Sequence, residues 1–193
     1  MNTSNAKEFL KYIERSSSDS NVDIIKLFIS WCNKKNLEEL LFRLTSDEFA
    51  GLKKNYSIDF TNKRILISKK SSLKKLLDIG FVGGMSPCIH FFTSNKTSKI
   101  KNNIFIDIEK ILNNKNLDYC LYYYDIEKIT ISRGNDSRVN NMVGSFITKN
   151  YLAISMASGD KYDFSLPVRK NGNFEKISYW LKVLLPTRVS IIN

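Results

Sequence analysis

The chain has 193 residues, enough for one well-buried domain with a small helical appendage and too few for two large domains. With 42% hydrophobic and 12% aromatic residues, and only 8 Gly and 3 Pro, the composition excludes global disorder. The net charge of +11 is unevenly placed: residues 1–55 carry nine Lys and Arg against eight Asp and Glu, and residues 56–193 carry twenty-one against eleven.

The first 55 residues read as short helices. Asn5 followed by Glu8 opens one through about Glu14, with Phe9, Leu10 and Ile13 on one side, and the run SSSDS breaks it. Ser20 followed by Asp23 opens a second, apolar most of the way round from Val22 to Cys32 and therefore expected to be the most buried helix of this part. Asn36 followed by Glu39 opens a third, with Leu37, Leu40, Leu41 and Leu44 at i, i+3, i+4, i+7, and Thr45 to Gly51 reads as a last short turn.

From Tyr56 the period changes to two. YSIDF, the turn TNKR and ILI form a β-hairpin signal. SLKKLLDIGF reads as a short helix, CIHFF as a buried strand, TSNKTSKIKNN as a basic loop, IFIDI as a strand and EKILNNKN as a short helix or loop. LYYYDIEKITIS predicts two strands with a bend at Asp125 to Lys128. After the polar loop SRGNDSRVNNM, GSFITK is read as a strand, and NYLAISM pairs with KYDFSLP across the turn ASGD. A helix capped by Asn173 then carries Phe174, Ile177, Trp180, Leu181 and Leu184 on one stripe, with Pro186 as its stop. The expected class is α+β: a helical region over 1–55, then a strand-rich domain over 56–193 that buries its C-terminal amphipathic helix against a sheet.

The phrases LYYYDIEKITIS, NYLAISM, KYDFSLP and FEKISYWLKVLLP, in that order, resemble the second half of pleckstrin-homology-like domains, including the GRAM and bacterial variants. FTNKRILIS is similar to their early hairpin, with Thr61 and Arg64 in the matching places. The resemblance covers roughly residues 56–187. It implies a bent, seven-stranded antiparallel barrel or sandwich plugged at one end by the final helix. It also implies anion contact through Lys and Arg of the first hairpin, as in members that bind phosphoinositide headgroups, or scaffolding through protein contacts. Residues 93–103 and the helices at 71–79 and 108–116 exceed the family pattern.

The stretch TNKRILISKKSSLKK holds six cations and no acid: Lys63, Arg64, Lys69, Lys70, Lys74 and Lys75. A hairpin that brings its turn and its outgoing end together would gather them into one anion site, since phosphate and carboxylate oxygens suit such donors. Charge at a strand end also protects an edge from aggregation, and this plainer reading competes directly with the first. Nucleic acid is the alternative ligand, with a basic surface and stacking aromatics as its requirement. In the run Tyr122, Tyr123, Tyr124 alternate rings face opposite sides, so only one or two are available for stacking.

Catalytic signals are weak. His90 is the one histidine, Cys88 stands two residues from it, and neither has the further ligands or activating partners that zinc or thiol chemistry requires. GFVGGMS reads as a tight turn and not as a phosphate loop, and Asp107 and Glu109 are read as sharing a strand face at most, which carries no metal or glycosidase signal. Cys32, Cys88 and Cys120 are expected as three buried reduced thiols of a cytoplasmic protein. The first residues lack the apolar run of a secretory signal, and no apolar run approaches 18 residues, so membrane contact is expected to be peripheral. The reading is a non-enzymatic binding or adaptor module without cofactor or metal, for anionic lipid or an acidic protein, with nucleic acid as the alternative.

Overall fold

The computed structural model describes residues 8–9, 11–12, 23–51, 55–69, 108–113, 115–134, 149–167 and 174–193. The expected elements between residues 70 and 107, all of GSFITK but Lys149, and the residues Lys70, Lys74, Lys75, Cys88, His90, Asp107 and Asn173, lie outside the described residues.

Residues 8, 9, 11 and 12 are helical, and Phe9 is completely buried. Helix α1 (Ile24–Lys34) starts where Asp23 caps it, its Oδ1 accepting from the Ile25 and Lys26 amides at 3.0 and 3.4 Å. Ile25, Phe28, Trp31 and Cys32 form its buried face, while Leu27 and Ile29 are only partly covered. The helix is thus one-sided instead of apolar-buried all round, and its inner face belongs to the main core.

The expected third helix is a strand. β1 (Leu40–Ser46) pairs antiparallel with β3 (Tyr56–Thr61), with a register irregularity between Leu40 and Phe42. That irregularity explains the misleading spacing. An extra residue in a strand resets the alternation, so Leu41, Phe42 and Leu44 reach one core while Leu40 reaches another. The pairing also runs across residue 55, which joins part of the expected helical region to the sheet. The chain continues through Asp47 into β2 (Glu48–Phe49), then turns at Ala50 and Gly51, whose φ angles are 48° and 76°.

The predicted hairpin is present: β3 and β4 (Arg64–Lys69) pair from Phe60 and Ile65 to Tyr56 and Lys69. After the short helix α2 (Ile108–Leu112), β5 (Leu117–Tyr122) pairs with β4, giving a four-stranded sheet in the order β1-β3-β4-β5. A 3₁₀ turn at Tyr123–Asp125 leads to β6 (Ile126–Arg133), followed by β7 (Lys149–Met156) and β8 (Lys161–Pro167) as antiparallel neighbours. Helix α3 (Phe174–Leu184) is the expected amphipathic helix. It does not end the chain: β9 (Val189–Ile192) returns to pair parallel with β6, completing a five-stranded sheet in the order β2-β8-β7-β6-β9.

The fold is α+β, and among the described residues it has two sheets of four and five strands that do not close into a barrel. One core joins them, drawing Phe28 and Trp31 from α1, Phe42 and Ile58 from the first sheet, Ile129, Ile154 and Phe164 from the second, and Trp180 from α3. Trp180 meets Phe42 at a ring separation of 5.0 Å, which seats α3 on the first sheet. A smaller cluster of Leu40, Leu66, Ile108 and Ile111 packs α2 on that sheet's other face. Among the described residues no helix is long and apolar enough to cross a membrane.

Candidate functional site

The turn between β3 and β4 consists of Asn62 and Lys63, and it is tied to the connection between α1 and β1. Asn62 is 8% exposed and uses both ends of its amide. Its Oδ1 accepts from the Glu39 amide at 2.8 Å, and its Nδ2 donates to Asn33 Oδ1 at 2.9 Å and to the Leu37 carbonyl at 3.0 Å. Thr61 Oγ1 accepts from the Arg64 amide and lies 2.9 Å from Glu38 Oε1. A hairpin turn with this many partners cannot move independently of the core.

Arg64 is the centre of the network. Its Nε and Nη2 donate to the two oxygens of Glu38 at 2.9 and 2.7 Å, a bidentate pair that keeps the guanidinium firmly protonated. Its remaining Nη1 faces Tyr122 Oη at 3.1 Å and Cys120 Sγ at 3.6 Å, and the guanidinium carbon lies 5.4 Å from the Tyr122 ring centre. Lys63 Nζ donates to the carbonyl oxygen and Oδ1 of Asn36 at 3.3 and 2.9 Å, neutral acceptors that leave its charge unbalanced.

Of the six expected cations, the described residues include Lys63, Arg64 and Lys69, and these three are not gathered into one place. Lys63 and Arg64 stand at one end of β4 and Lys69 at the other. Five residue steps in a strand separate Arg64 from Lys69 by about 17 Å. At the turn end, Arg64 is balanced by Glu38, leaving Lys63 as the unbalanced member of the expected set.

Sequence reasoning left one or two rings of the YYY run available for stacking, without placing them at this corner. Tyr122 and Tyr124 are 37% and 72% exposed, and their rings stack at 5.3 Å with an angle of 19°. The intervening Tyr123 points inward, and its hydroxyl donates to the Thr61 carbonyl, with burial pushing its pKa well above the ordinary phenol value. Arg188 reaches back from beyond α3 and donates through Nη1 to the carbonyls of Tyr123 and Ile126, both at 2.6 Å. The Ala157 amide donates to the Asp125 carbonyl at 2.8 Å. The exposed pair is thus carried on a turn whose backbone is fixed from three sides. Alternation in the YYY run was the one available signal; the Glu38 and Arg188 contacts span 26 and about 65 positions, with no local pattern to announce them.

Cys32 is buried as expected, but Cys120 is exposed. β5 lies at the sheet edge, and with Leu121 turned into the core, Cys120 takes the outward face beside Arg64 and Tyr122.

Compared with known proteins, the chain matches no family model, no curated protein and no solved structure.

Proposed function

We propose that the protein is a non-enzymatic binding module of the pleckstrin-homology-like type, whose β3–β4 corner contacts an acidic segment of a partner protein. The observation that carries this reading is the exposed Tyr122–Tyr124 stack, held on a braced turn beside Lys63 and Arg64. Tyrosine and arginine are the residues that dominate protein interfaces, and a contact already held in place costs little ordering on binding. A headgroup site draws less support from the same corner. Each cation near an anionic surface contributes about 1 kcal/mol, and Lys63 alone is left unbalanced among the proposed set described there.

A nucleic-acid ligand is the second reading, favoured by stacked, exposed rings next to a cation. The two separate on salt. Titrating the full chain with a fluorescent acidic peptide containing Phe and Leu, with anionic vesicles and with single-stranded RNA across a salt series tests all three ligand classes. The proposal expects saturable peptide binding that Tyr124→Ala weakens about tenfold, the loss of one interface anchor. Tight RNA binding with a steep salt slope, and none to the peptide, would replace it with the second reading. Selective vesicle binding lost on Lys63→Glu with Arg64→Glu would instead assign the corner to lipid.

A further inference from the structure

The outer face of the second sheet carries an open groove with about 570 Å³ of free space, part of it continuous with solvent. Register places its parts. Glu48 on β2 lies directly opposite Ser165 on β8, Ser165 lies opposite Tyr151 on β7, and Asp163 lies opposite Ala153, which in turn neighbours Thr130 on β6. Glu48 and Asp163 are therefore diagonal neighbours across a strand pair, about 7–8 Å apart at the backbone, close enough for both side chains to reach one group between them. The floor beneath is small, with Ala153 and Thr130, and the 51% exposed Tyr151 ring stands at its side.

Two features mark this as a site with a missing partner. Neither the Glu48 nor the Asp163 carboxylate has an ion pair or side-chain hydrogen bond among the described residues, although the chain carries a net charge of +11. Ser165, only 4% exposed, lines the groove between them, and its Oγ is buried without a hydrogen-bond partner. An orphaned buried hydroxyl is destabilising unless a partner supplies the bond. A donor arriving with positive charge would satisfy the hydroxyl and both carboxylates together.

We infer that this groove receives an arginine side chain from a partner protein. The guanidinium fits better than an ammonium, because its planar fork can donate to both carboxylates and to Ser165 Oγ while one face lies against the Tyr151 ring. The openness of the groove points to a side chain presented on a larger surface, since a free small molecule is ordinarily enclosed over most of its area. One cation is the capacity. Lys161 stands on the same face two residues from Asp163, and Lys149, paired with Asp47 at 3.3 Å, lies at the other end, so a run of basic residues would be repelled. The groove is on the second sheet and the tyrosine corner on the first, so either can fail without the other.

The test is an amide-resolved NMR titration of the full chain with a pentapeptide, Gly-Ser-Arg-Ser-Gly capped at both ends, and with its citrulline counterpart, which keeps shape and loses charge. Saturable shifts at Thr130, Tyr151, Ala153 and Asp163 with the arginine peptide, at least tenfold weaker with citrulline and with Asp163→Asn or Glu48→Gln, are expected. Equal response to both peptides, or none at these amides, overturns the inference. If either variant lowers the urea midpoint, the citrulline comparison on the unaltered chain decides alone. Capped arginine binding as tightly as the pentapeptide would overturn the partner-protein source in favour of a small molecule. A concentration-dependent dimer abolished by Asp163→Asn would overturn it in favour of a second copy of the chain.

Discussion

At the scale of single residues, the charge most exposed to loss is Asp59. It is fully buried in β3 and held by Arg43 through a bidentate pair, with Ser57 Oγ donating to it at 3.2 Å. Breaking a buried, hydrogen-bonded ion pair by removing one member typically costs about 3–5 kcal/mol. Asp59→Ala should therefore lower stability by about 3 kcal/mol or more in urea unfolding, whereas an exposed pair such as Lys35 with Glu8 should change it by less than about 1 kcal/mol. Tyr179 gives a pH signature. Its hydroxyl donates to Asp23 Oδ2 at 2.6 Å, and desolvation together with that carboxylate pushes its pKa up to about 12 from 10.0. Because the folded value lies above the unfolded one, the bond's contribution is fully present below about pH 10 and lost as pH rises through about 12. Ultraviolet titration should show one late phenol fewer in Tyr179→Phe, and that variant should lack this part of the alkaline loss of stability.

At the scale of elements, what was legible depended on whether a local pattern carried the information. Alternation in YSIDF and NYLAISM, the turns at Asn62–Lys63 and Gly159, and the helical stripe of α3 were all readable because each arises within a few residues. β1 was not: its irregularity gave Leu40, Leu41 and Leu44 a helical spacing, and only the pairing with β3 overrides it. β9 was missed because four residues after a proline hold no period, and its hydrogen bonds go to β6, some sixty residues away. The same dependence on distant partners sets the importance of α3. Trp180 is 3% exposed against Phe42, so Trp180→Ala should cost about 3–5 kcal/mol. Calorimetry would check it, and a loss below about 1 kcal/mol would mean that α3 is not seated on the first sheet as described.

At the scale of the whole molecule, the sheets, the helices and the shared core of the described residues form a scaffold that presents side chains on different sheets. The sequence located the hairpin corner but assigned it to cations. Which charges remain available was settled by Glu38 and Asn36, and these meet the hairpin only through the fold. The aromatic stack depends on the fold in the same way: alternation puts Tyr122 and Tyr124 on one side, and Arg188, from beyond α3, braces the turn that carries them.

The tyrosine corner is tested by an NMR titration of the full chain with an acidic peptide carrying Phe and Leu, repeated with Tyr124→Ala. Saturable amide shifts confined to residues 61–64 and 120–125, lost or weakened about tenfold in the variant, are the predicted result. Binding that leaves those amides unmoved, or that the variant does not weaken, would contradict it.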